Sequence, residues 1–126
     1  GGVGPDRMRT LIRCARVIDR LEETIDLPRD EAERRLRVVP GVGIWTAAEV
    51  MQRAHGDPDA LSVGDFHLAK IVGWALERRP YDDSEMVAVL ERWRGHRYRV
   101  TRLLEFAGIG PPRRGPRFAG RDYRAI

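Results

Sequence analysis

Cysteine is almost missing from this 126-residue chain. Cys14 stands alone, which excludes an internal disulfide, a multi-cysteine zinc site and an iron–sulfur cluster held by four cysteines of this chain. A reducing, cytoplasmic setting is the default expectation. Long apolar runs are missing too. No stretch approaches the roughly 20 apolar residues of a membrane span, and no secretory signal opens the chain, so no membrane partner is expected. Lysine occurs once, as Lys70, against 22 arginines, a skew that genome composition explains as easily as phosphate binding does. A starting methionine is also lacking. The opening Gly-Gly-Val-Gly-Pro is what a processed chain, or a piece of a longer one, would show.

The net charge of +4 points to nucleic acid until it is divided along the chain. After residue 109, Arg113, Arg114, Arg117, Arg121 and Arg124 face only Asp122, and this tail carries the whole excess. The first 109 residues balance at 18 basic and 18 acidic. The charge therefore describes the tail and not a basic face on the body. Residues 1–109 read as one domain, and 110–126 as an irregular Arg/Pro/Gly-rich tail. Its arginines would strengthen nonspecific DNA binding in a salt-dependent way, or meet another domain.

The body reads as all-α, a helical bundle without a convincing strand pair or internal repeat. Met8, Leu11, Ile12, Ala15, Ile18 and Leu21 recur at helical steps and predict one amphipathic helix from Asp6, its cap, to about Ile25. Pro28 opens a second helix, which buries Ala32, Leu36 and Val39 and stops at Pro40. A third places Ile44, Ala47, Ala48, Met51 and Ala54 on the core, and turn residues His55 to Asp59 follow. Leu68 to Leu76 form a fourth helix, ended by Arg78-Arg79-Pro80. Asp82-Asp83-Ser84-Glu85 has the acid-x-x-Glu spacing of a capping box, ahead of a helix that turns Met86, Val89, Leu90 and Trp93 inward. The last helix, about His96 to Ala107, buries Val100, Leu103 and Leu104 and ends at Gly108.

Between the second and third helices lies Pro40-Gly41-Val42-Gly43. Two glycines one residue apart permit a tight turn and leave backbone N–H groups free at a helix start. Such a nest binds anions, phosphate above all. The plainer reading is a short helix–helix connection. Asp65, after Val63-Gly64, is either a catalytic carboxylate or a helix cap.

Taken together, Leu36, Pro40, Gly41, Val42, Gly43, Trp45, Thr46 and Ala47, with Asp65 about twenty positions beyond Gly43, resemble the helix-hairpin-helix (HhH-GPD) DNA glycosylases. Residues 7–107 are most similar to the alkylation-repair branch, the 3-methyladenine DNA glycosylase II group. Trp93 and Arg97 also resemble a Trp-x-Pro-x-Arg pattern of that family, with Gly95 where proline is usual.

The resemblance implies a monofunctional glycosylase of base excision repair, hydrolysing the N-glycosidic bond of alkylated purines such as 3-methyladenine. Its partner would be double-stranded DNA with a damaged base, in a cytoplasmic, nucleoid-associated setting. Gly41, Val42, Gly43 and Thr46 would bind phosphate, joined by a monovalent cation on hairpin carbonyls. No other cofactor, catalytic metal or iron–sulfur cluster is implied. Asp65 would stabilise the oxocarbenium-like transition state and orient the attacking water. Trp45 stands where bifunctional members carry a Schiff-base lysine, so lyase chemistry lacks its nucleophile and the indole is free to stack on a flipped base. The alternative for Trp45 is core packing.

Glu49, where some members place an aromatic, would line the base pocket and favour a cationic base, or be an ordinary solvated residue. Arg94 and Arg97 are candidate DNA contacts, with a solvated face as the alternative. His67, Trp74 and Trp93 read as structural. Family members carry further helices before the equivalent of Met8, which form the opposite wall of the pocket; the rest of the parent protein or another chain would supply them. The rival readings are a noncatalytic helix-hairpin-helix DNA-binding module, an inactive fragment and a protein-interaction domain.

Overall fold

The structure, a computed structural model, describes residues 2–112, and among them it is all-helical. Seven α-helices follow one another: α1 Pro5–Arg16, α2 Ile18–Glu22, α3 Arg29–Val38, α4 Ile44–Ala54, α5 Leu68–Glu77, α6 Asp83–Leu90 and α7 Arg97–Phe106. Short 3₁₀ turns, Glu23–Asp26 and Glu91–Trp93, extend α2 and α6. No helix among the described residues is long and apolar enough to cross a membrane.

The core has two parts. In the first, Ala32 and Leu36 of α3 meet Ala47, Ala48 and Met51 of α4, with Ala60 from the following loop. Alanine at these contacts lets the two helix backbones approach closely. In the second, Leu68, Ala69 and Val72 of α5 pack with Tyr81, Met86 and Leu90, and Val100 and Leu104 of α7 cover them. Val72, Met86 and Leu90 are fully buried, each contributing on the order of 1.5–3 kcal/mol by leaving water. Gly73 makes this half possible, since a Cβ there would stand 2.5 Å from the Arg79 carbonyl oxygen and 2.6 Å from the Tyr81 nitrogen.

The loop Asp57–Asp59 joins the two parts. Asp57 pairs with Arg29 at the start of α3 and accepts the Asp59 amide at 2.8 Å. Asp59 accepts the Gly95 amide at 2.8 Å and takes the Arg97 guanidinium in two bonds of 2.8 and 2.6 Å. The Pro58 carbonyl accepts the amides of Tyr98 and Arg99 at 3.0 and 3.3 Å, satisfying the start of α7. One loop thus ties the hairpin half to the last helix.

Several expectations need correction. The predicted first helix is broken at Val17 (φ −121°, ψ 23°), is entered from Gly4 and Pro5 and not from an Asp6 cap, and α1 buries no residue. Its periodicity is genuine, yet Met8, Leu11, Ile12 and Ile18 are exposed because no described element covers that face. Ile44, Ala54 and Leu103 also point outward. The predicted capping box is present: Asp82 accepts the Glu85 amide at 2.8 Å, and the Glu85 carboxylate accepts the Asp82 amide at 3.1 Å. The tail arginines lie outside the described residues.

Candidate nucleic-acid interface and catalytic cleft

Pro40 ends α3 and the chain turns through a Val42 N–H to Val39 carbonyl bond of 3.0 Å. Gly41 takes φ +99°, and a Cβ there would meet the Thr10 hydroxyl oxygen at 2.1 Å, so α1 seats directly against the turn. Glycine is required on both counts. Gly43 then begins α4 with no side-chain cap. Among the described residues the amides of Gly41, Gly43, Ile44, Trp45 and Thr46 have no hydrogen-bond acceptor. They form a donor cluster at the positive end of a helix dipole. The Gly41 and Val42 carbonyls accept no hydrogen bond among the described residues, which leaves oxygen donors of the kind a monovalent cation takes. Arg13 donates to the Pro40 carbonyl at 3.3 Å.

On the adjoining face of α4, Trp45, Glu49 and Gln52 succeed one another at helical spacing. They line a cleft of about 150 Å³ whose other walls include Ser62, Asp65 and the α7 residues Tyr98 and Thr101, with Arg53, Arg102 and Glu105 among its charged groups. Trp45 is 45% exposed, so the core-packing alternative does not hold for it. Glu49 is less free than a solvated residue: one oxygen accepts the Ser62 hydroxyl at 2.7 Å and the other pairs with Arg53. Gln52 donates to Ser62 at 2.9 Å and to the Ala60 carbonyl at 2.8 Å.

Asp65 reaches the cleft from the loop before α5. Its Oδ1 accepts the amides of His67 at 2.8 Å and Leu68 at 3.0 Å, so it does cap that helix. Its Oδ2 has no hydrogen-bond partner among the described residues, and no cationic side chain among them pairs with it. Capping and a free carboxylate oxygen coexist in one side chain. Gly64, at φ +89°, donates to Asp83 at 3.2 Å and holds this corner from the other side.

The other expected contacts lie apart. Thr46 faces away from the cleft, into an apolar groove with Cys14, Val42 and Val50; its amide, not its hydroxyl, belongs to the donor cluster. Arg97 is not available as a DNA contact, because its guanidinium is spent on Asp59 and Glu91. That pairing holds the Asp59 carboxyl far below the usual carboxylate range, through hydrogen bonds from the Arg97 side chain above all, against the opposing effect of burial. Arg94 stays exposed, paired with Glu91 at 2.6 Å. The sequence reading missed Gln52 and Ser62. Gln52 had a signal: an amide placed seven residues after Trp45, on the same helix face.

The fold and cleft therefore define a helical protein with an amide-rich turn beside a carboxylate-bearing cleft. No protein-family model matches the chain, and no solved structure does. Over 76 residues it is 37% identical to the "Probable bifunctional transcriptional activator/DNA repair enzyme AlkA" of Mycobacterium tuberculosis, in strains CDC 1551 / Oshkosh and ATCC 25618 / H37Rv. That stretch is 58% of this chain and 14% of each relative's length. The chain is similar, over that part, to a DNA repair enzyme.

Proposed function

We propose that this chain carries the hairpin and aspartate side of a monofunctional DNA glycosylase that hydrolyses the bond between C1′ and an alkylated purine. The observation that carries the reading is the convergence of Trp45, from the turn of α4 next to the hairpin, and Asp65, 20 residues later, on one cleft. The amides of Gly41 and Gly43 would grip a backbone phosphate, with the neighbouring carbonyls holding a monovalent cation that adds positive charge there. These contacts position the duplex and read no bases. The base would leave the stack and lie against the Trp45 indole.

As the C1′–N bond breaks, its electron pair goes to the base and positive charge develops on the sugar. The unpaired Asp65 oxygen stabilises that charge and accepts the proton of the incoming water, which becomes the C1′ hydroxyl. A tryptophan cannot form a Schiff base, so no strand cleavage follows. Further helices, as the glycosylase resemblance implies, would cover the exposed face of Met8, Leu11 and Ile12 and complete the opposite wall.

Base release from alkylated DNA by the full-length gene product tests this. Wild type is expected to release base, and Asp65→Asn to be slower by about 10²–10³-fold. Equal rates would remove Asp65 from the mechanism. No release by wild type, with duplex binding retained, would favour the noncatalytic module, in which Asp65 is a cap and nothing more. Borohydride is expected to trap no covalent DNA adduct.

A further inference from the structure

We propose that Glu49 is a specificity-determining residue of the cleft, presenting a carboxylate to the extruded base so that purines bearing a positive charge are chosen over neutral ones. The inference rests on the glycosylase reading and deepens it, from which bond breaks to which bases are admitted.

The carboxylate is oriented from below by groups that are themselves buried. Ser62 is 5% exposed and Gln52 8%. The Gln52 amide nitrogen donates both to the Ala60 carbonyl and to the Ser62 oxygen. With its oxygen accepting from Gln52, Ser62 spends its single proton on Glu49, at 2.7 Å. The relay therefore asks for an acceptor at Glu49, which its carboxyl oxygen supplies. Arg53 pairs with the second oxygen, but its side chain is two-thirds exposed, where water screens the pair.

The charges of the cleft do not balance. Glu49, Asp65 and Glu105 face Arg53 and Arg102, and Arg102 is paired with Glu105 at 2.9 Å. Three carboxylates against two guanidiniums leave one negative charge, and among the described residues Asp65 is the member without a cationic partner. A base alkylated at a ring nitrogen arrives with one positive charge and restores the balance, whereas a neutral base leaves it unmet. The two carboxylates would act at different moments. Before bond cleavage the positive charge lies on the base, beside Glu49; as the bond breaks it moves to the sugar, beside Asp65. Glu49 thus contributes mainly to binding the cationic substrate, and its removal is expected to raise KM more than it lowers kcat.

The test uses the full-length protein and two duplexes, one with a single 7-methylguanine, which is cationic, and one with a single 1,N6-ethenoadenine, which is neutral. In Glu49→Gln, which keeps the shape and loses the charge, the ratio of kcat/KM for the cationic over the neutral base is expected to fall about tenfold, with the loss on KM. Ser62→Ala keeps the charge and frees its orientation, so a smaller fall in the same ratio is expected. This second variant carries the test should Glu49→Gln not fold. A ratio within about twofold of wild type in a folded variant overturns the role of Glu49. If Asp65→Asn abolishes release while the ratio stays put in both Glu49 and Ser62 variants, the glycosylase reading stands and this inference alone falls. If wild type releases neither base, both fall.

Discussion

Asp59 and Asp65 lie six residues apart in the one loop between α4 and α5 and meet opposite fates. Asp59 is buried, and protein donors take both of its oxygens: the amides of Gly95 and Arg97 and the Arg97 guanidinium. Asp65, which lines the cleft, gives one oxygen to the amides of His67 and Leu68 and has no partner for the other among the described residues. A buried carboxylate that accepts only from protein donors on both oxygens holds a fold together and offers nothing to a substrate. One that is half committed is held in place and still has an oxygen to offer a reacting centre.

The largest effect is expected where the committed carboxylate loses its partner. Arg97→Ala strands the buried Asp59 charge and should cost about 3–5 kcal/mol of stability, read by denaturant unfolding. Little loss would show that the loop is not the joint described. Next, Asp65→Asn should slow base release by about 10²–10³-fold while leaving Tm close to wild type, since asparagine also caps. A large fall in Tm would make Asp65 a second Asp59.

Acid separates the two in another way. The folded-state pKa of Asp59 lies below its unfolded value, so its contribution is full above about pH 4 and drains away as pH falls toward the folded-state value. Wild type should lose stability across that acidic window, and Asp59→Asn, already weakened at neutral pH, should lose less. Parallel curves would mean that other carboxylates govern acid unfolding. The smallest expected change calibrates the capping half of Asp65: Asp82→Ala removes a cap with no cleft beside it and should cost about 1 kcal/mol in thermal melts.

Local features were the legible ones. The Asp82–Glu85 capping box, the stop at Pro40 and the shared face of Trp45 and Glu49 each depend on residues within a turn or two of one another, and each stands as read. Arg97 could not be read in this way. Its partner Asp59 lies 38 residues away, and no spacing rule distinguishes a guanidinium turned toward DNA from one turned inward. The first helix shows a different limit. Periodicity identified an apolar face at Met8, Leu11 and Ile12 but not whether anything covers it, and no described residue buries it. Asp65 fell between the two cases, since a cap and a catalytic group require the same residue at the same helix start.

The bond from Pro58 to the start of α7 has a mechanical consequence. One jaw of the cleft is α4 and the other is α7; the Pro58 carbonyl, accepting the Tyr98 and Arg99 amides, ties the loop that follows α4 to the start of α7 and so helps to set how far apart they stand. The loop works as a gauge block between jaws, and its length fixes the bore. A single residue inserted between Asp57 and Asp59 would reset the spacing of the two jaws without touching any side chain that lines the cleft.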